Sequence, residues 1–246
     1  LSKSSNLKKY FCVSTDKAAN PVNMMGASKK IMELFLMRES STTNISTARF
    51  ANVAFSDGSL LHGFNQRILK KQPISAPNDV KRYFITPQES GELCLLSGLL
   101  GKNREIFFPK MTEDLHLLKF SDIASNYLKE SNYEAFECKT EEEARELVNT
   151  IILRGKWPCY FFKSDTTGEK DFEEFYSNAE KVNWSSFDSI GVIKRESNYS
   201  KEKLNVFLRD IEELKKQGSW DKNDIVGLFN NFLPFFNHKR TGKNLD

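Results

Sequence analysis

The chain has 246 residues, 39% of them hydrophobic and 12% aromatic, enough for a sizeable core in one domain with an appendage or in two small domains. Lys and Arg total 36 against 33 Asp and Glu, so the net charge of +3 makes no electrostatic case for nucleic acid or for an acidic membrane surface. Cys12, Cys94, Cys138 and Cys159 lie far apart without a C-x-x-C pair, which argues against a zinc or disulfide framework and suits a reducing cytoplasm.

In chain order, Lys9 to Ser14 (KYFCVS) reads as a short buried strand that runs into the polar cluster Thr15, Asp16 and Lys17. Asn20-Pro21 then offers a cap with proline in the first turn, and Met24, Ala27, Ile31, Leu34 and Phe35 recur at helical spacing. Ile45 to Phe50 (ISTARF) is a second strand, and Asp57-Gly58 turns the chain into a helix from about Ser59 to Lys70. An extended stretch from Gln72 to Asn78, the segment DVKRYFITPQES, a helix from about Pro87 to Leu100 and the strand REIFFPKM follow. Strands alternating with helices predict an α/β fold with a parallel sheet and helices on both faces.

The character changes near residue 120, where a soft boundary separates this sheet region (1–120) from a mostly helical substrate and C-terminal region (121–246). There Thr140 and Glu143 suggest a capping box, with Glu141, Glu142 and Glu143 as the negative first turn of its helix. SKEKLNVFLRDIEELKKQGSW and WDKNDIVGLFNNFLP read as two terminal amphipathic helices. His62, His116 and His238 show no ligand spacing and are read as structural, so no metal site is expected. No apolar run approaches the roughly 20 residues of a membrane span, and no signal peptide is visible.

Four stretches in order, STDKAANPVNMMGASKK, ARFANVAFSDGSLLHGFNQRI, RYFITPQESGELCLL and EIFFPKM, resemble the polysaccharide-biosynthesis (CapD-like) branch of the extended short-chain dehydrogenase/reductases, the UDP-N-acetylglucosamine 4,6-dehydratases. PCYFFKSDTTGEKDFEEFY further resembles members linked to legionaminic-type sugars. The resemblance implies the C-terminal part of a Rossmann-type sheet, NAD as cofactor, a UDP-N-acetylhexosamine substrate and a homo-oligomer. In that family a glycine-rich turn cradles the pyrophosphate of NAD, but the 12 glycines here form no such motif after a strand. With Leu1 at its start, the chain is expected to be the C-terminal portion of a longer protein. The missing N-terminal half would carry the main NAD contacts and any membrane anchor, and this portion alone is expected to be inactive.

The family reaction takes hydride from C4 of the sugar, eliminates water across C5 and C6, and returns the hydride to C6. By resemblance Thr15 contacts O4, Asp16 is the general acid for the departing hydroxyl, and Lys17 is the base for the C5 hydrogen. Lys29 follows Met25 by one helical turn; it is expected to hold the nicotinamide ribose, with Ser14 as a second cofactor contact. Met25 occupies the position where most relatives have a proton-exchanging tyrosine, a departure similar to the configuration-retaining dehydratases. Asn52, Ser59, Arg67, Arg82 and Tyr83 match positions lining the nucleotide-sugar site, Arg82 being suited to a diphosphate. The residues alone also admit Asp16 as a turn cap, Lys17 as a solvated lysine, Met25 as helix core and Arg82 as a loop arginine. An epimerase or reductase of the same superfamily, and a non-catalytic nucleotide-sugar-binding fragment, are the competing readings.

Overall fold

The computed structural model describes residues 7–110, 117–165, 170, 173–196, 200–236 and 238, so His116 and Met111 lie outside the described residues. β1 (Tyr10–Thr15) is followed by a short 3-10 turn, Asp16–Ala18, and then α1 (Met24–Glu39). Asn23, not Asn20, caps α1: its side chain accepts the Gly26 N–H at 2.8 Å, so proline falls before the helix rather than inside its first turn. β2 (Ile45–Phe50), β3 (Asn52–Val53) and α2 (Leu60–Leu69) come next, then β4 (Ile74–Pro77), β5 (Lys81–Ile85) and α3 (Pro87–Leu100). β6 (Glu105–Pro109) and β7 (Leu117–Lys119) close this half.

β1, β2 and β6 are parallel neighbours, as the alternation of strand and helix requires. Side-chain alternation along β2 sends Ala48 into a core shared with Leu93 and Leu96 of α3, while Arg49 turns toward Glu33 of α1, so the two helices cover opposite faces. The Ser46 hydroxyl, on the α3 side, donates to the Ser97 carbonyl at 2.7 Å.

The boundary near residue 120 falls between β7 and α4 (Phe120–Glu130). Helix exceeds strand beyond it, with α5 (Glu141–Ile151), α6 (Lys201–Gln217) and α7 (Lys222–Phe232). The same region also supplies β8 (Glu134–Cys138), β9 (Lys156–Phe162), β10 (Val182–Asn183) and β11 (Ile190–Lys194), which the sequence reading does not mark. β11 lies antiparallel on β6 and β10 on β11, giving the five-stranded order β1-β2-β6-β11-β10. Gly191 stands opposite Phe108, whose ring occupies the space a Cβ would need, and Phe108 in turn stacks on Phe175. The sheet therefore crosses the boundary.

β4, β9 and β8 form a separate parallel sheet whose core joins Leu61 and Phe64 of α2, Ala124 and Leu128 of α4, and Trp157. At α5 the Thr140 hydroxyl accepts the Glu143 N–H, but the Glu143 carboxylate accepts from Lys139 rather than Thr140, so the capping box is half formed. No helix among the described residues is long and apolar enough to cross a membrane.

Candidate functional site

β1 ends at the sheet's carboxyl edge, where open α/β sheets place their ligands. Thr15 caps the turn that follows: its Oγ1 accepts the Lys17 N–H at 3.4 Å and donates to Asp16 Oδ1 at 2.8 Å. The same carboxylate oxygen accepts the Lys17 N–H at 2.8 Å and pairs with Lys17 Nζ at 3.1 Å. Asp16 is buried and Lys17 keeps 19% side-chain exposure, so the ammonium is the part of the pair that reaches outward. One proton moved along the 3.1 Å contact converts ammonium and carboxylate into a neutral amine and a carboxylic acid, the forms that a base and an acid need.

α1 is held against this turn by a close approach. A Cβ on Gly26 would lie 2.5 Å from the Lys17 carbonyl oxygen, so only glycine admits the helix this near. One turn on, Lys29 is half-buried, and Met25 is 48% exposed, which overturns the alternative of a helix-core methionine. Ser14 is buried and its hydroxyl donates to Glu33 at 2.7 Å, so its side chain is engaged within the protein.

The substrate-side residues divide. Asn52 on β3 and Tyr83 on β5 are neighbours, the Asn52 amide donating to the Tyr83 carbonyl at 3.2 Å. Arg82 is 4% exposed, so it is no loop arginine; it donates to the carbonyls of Lys81 at 2.8 Å and Lys170 at 2.9 Å, which ties β5 to the later segment. Ser59 is the N-cap of α2, accepting the His62 N–H, and Arg67 donates to the Pro73 carbonyl at 2.8 Å. These bonds hold the ends of α2, where Ser59 and Arg67 are both half-buried.

Two groups escaped the sequence reading. The first is Glu173, 3% exposed, whose carboxyl lies within electrostatic reach of Lys17, Asp16, Lys170 and Arg82. Burial pushes this carboxyl above the ordinary glutamate range, and Lys17 only partly offsets that rise. The visible signal was an acid set among aromatics in FEEFY.

The second is a buried network beneath the turn. Arg49, fully buried, forks onto Glu33 (Nε to Oε1 2.9 Å, Nη2 to Oε2 2.8 Å) and onto Glu180 through Nη1 and Nη2, both at 2.8 Å. Arg195 adds a 3.2 Å contact to Glu33, and Lys30 lies 3.7 Å from Glu180. Burial alone would raise Glu180, but the hydrogen bonds and charge of Arg49 outweigh it and hold the carboxyl at about 2. Burial lowers Lys30 to about 8. Through Ser14 the network fixes the end of β1.

A cavity of about 660 Å³ borders the turn, lined by Asn20, Lys30, Lys170, Glu174 and Phe236 among others. A second, mainly apolar cavity of about 410 Å³ between α3, β5 and β6 touches none of the expected site residues. Burial raises the Cys159 thiol to about 12, so it is no nucleophile. Among the described residues no cluster of His, Cys, Asp and Glu could hold a metal ion.

The chain is 36% identical over 132 residues to the probable polysaccharide biosynthesis protein EpsC of Bacillus subtilis, covering 52% of this chain and 22% of that protein. It is 28% identical over 150 residues to the inverting UDP-N-acetylglucosamine 4,6-dehydratase of Campylobacter jejuni, covering 58% and 43%. To the UDP-glucose 4-epimerase of Rickettsia rickettsii it is 34% identical over 109 residues, covering 42% and 32%. The chain thus spans less than half the length of each of these relatives. Among solved structures, Pen from Bacillus thuringiensis shares the fold with a TM-score of 0.59 at 20% identity, covering 82% of this chain and 62% of that one. Residues 1–195 match the family described as polysaccharide biosynthesis protein, so the chain belongs to the polysaccharide-biosynthesis family of extended short-chain dehydrogenase/reductases.

Proposed function

We propose that this chain carries the reacting and sugar-binding part of an NAD-dependent nucleotide-sugar 4,6-dehydratase acting on UDP-N-acetylglucosamine, with retention at C5. The observation that supports it most is the Thr15–Asp16–Lys17 turn, where a hydroxyl and an ammonium meet on one carboxylate oxygen at the end of β1. When bound, NAD accepts hydride from C4 and returns it to C6, and Lys29 is this chain's residue for its ribose. Thr15 binds O4. Lys17, as the neutral amine, takes the C5 hydrogen; Asp16, as the carboxylic acid, gives its proton to the C6 hydroxyl, which leaves as water. Met25 has no exchangeable proton and takes no part in this traffic. Asn52, Tyr83 and Arg82 are the proposed nucleotide-sugar contacts, Arg82 by shaping the wall it is bonded into.

The test is incubation of the full-length protein with NAD and UDP-N-acetylglucosamine in deuterium oxide. Asp16→Asn should still label C5 while forming little 4-keto-6-deoxy product, whereas Lys17→Met should do neither. Equal labelling in both variants would refute the assignment of base and acid, and labelling in Lys17→Met alone would reverse it. A 4-epimerase is the second reading, favoured by the Rickettsia match. It predicts a product of unchanged mass, whereas the dehydratase product is lighter by one water.

A further inference from the structure

The proposed chemistry leaves one proton without a place. Oxidation at C4 releases the O4 proton through Thr15, yet Asp16 already carries the proton it gives to the C6 hydroxyl. Holding a second acceptor close to the pair resolves the balance. Glu173 fits that place: it is buried, lies within electrostatic reach of Asp16 and Lys17, its Oε2 has no hydrogen-bond partner among the described residues, and Lys170 Nζ approaches that oxygen only to 3.8 Å. Its segment is fastened on three sides to the elements that form the site. The Asn20 amide, three residues beyond Lys17, donates to Glu174 at 2.8 Å; Arg82 donates to the Lys170 carbonyl at 2.9 Å; Arg49 donates to the Phe175 carbonyl at 2.7 Å.

We propose that Glu173 is the third proton-bearing group of the Asp16–Lys17 site, a positioning residue whose carboxyl takes up the O4 proton relayed by that pair and returns it to Lys17 at the end of the cycle. The inference rests on the dehydratase reading of the turn. The count closes: the O4 proton goes to Glu173, the Asp16 proton leaves in water, and the C5 hydrogen goes to Lys17 and back to C5. Transfer from Glu173 to Lys17 then restores the starting ion pair. A carboxyl raised by burial holds a proton more readily than an ordinary glutamate, which suits it to this exchange.

The charged groups facing Glu173 are Lys17 and Asp16 from the turn, Arg82 from β5 and Lys170 from its own segment. The test is a carbon-13 carboxyl titration of Glu173, which needs no nucleotide sugar and so succeeds or fails separately from the dehydratase assay. In the unaltered protein its midpoint should lie above that of an ordinary glutamate. Lys17→Met should raise the midpoint by about one pH unit and Asp16→Asn should lower it, opposite signs that a packing disturbance does not produce. A midpoint at or below the ordinary value in the unaltered protein, or a midpoint that moves the same way or not at all in the two variants, overturns the proposal. In the active enzyme, Glu173→Gln should lower kcat about 100-fold with KM nearly constant, and Glu173→Asp should restore part of it. Full activity in Glu173→Gln overturns the proposal as well.

Discussion

Arg49 is the residue on which the lower half of the site depends. Its guanidinium is wholly buried, and it bonds both Glu33 and Glu180 at 2.8 Å, closer than Arg195, which also reaches both. Two buried carboxylates without it would retain only the flanking charges of Arg195 and Lys30, and uncompensated buried charge is far more costly than a lost surface pair. Arg49→Met should therefore cost about 3–5 kcal/mol of stability, measured by urea unfolding. A loss below about 1 kcal/mol, the scale of an exposed pair, would show that the network is not holding the fold. Of these residues the sequence reveals little. Thr15, Asp16 and Lys17 are legible because they are contiguous and follow a strand. Arg49 is legible only as a strand residue, since Glu180 lies 131 positions away and no local spacing joins them. Glu173 is hidden for the same reason, reaching a turn that precedes it by most of the chain.

At the scale of elements, the contact between α1 and the reacting turn depends on Gly26, and neither partner has room to move: one side is a backbone carbonyl and the other is capped by Asn23. Gly26→Ala should push α1 away from Lys17, cost about 1–3 kcal/mol, and lower turnover more than substrate affinity, because the displaced group is the proposed base rather than the proposed sugar-binding wall. An alanine variant with wild-type kcat would remove this contact from the argument. The first six long elements were readable from period and punctuation, from the strand ending at Thr15 to the strand Glu105–Pro109. β10 and β11 were not. β11 is five residues with a glycine second, and its place is fixed by Phe108 across the sheet rather than by any pattern of its own. The cap of α1 moved to Asn23 because the segment from Asn20 is used to meet Glu174.

Across the whole molecule, the buried network joins α1, β2, the stretch around Glu180 and the end of β11 at Arg195, so protonating it should loosen the two sides of the residue-120 boundary together. Glu180 is held at about 2 in the folded chain against an ordinary value near 4.5, so the folded state binds fewer protons between those limits. Its contribution, about 3 kcal/mol, is complete above pH 4.5 and is lost as pH falls toward 2. Glu33, also lowered because Arg49 outweighs the cost of burial, acts in the same direction. Lys30 is lowered too, by burial, to about 8, but there the charged form is the disfavoured one: it penalises folding below that point, and the penalty lifts as pH rises from 8 toward 10.5. Urea midpoints followed from pH 7 to pH 2 should fall steeply in the unaltered chain and more gently in Glu180→Gln, the two curves converging near pH 2. Parallel curves would mean that acid unfolding is governed by other carboxylates and that Glu180 is not a point of attachment between the two regions.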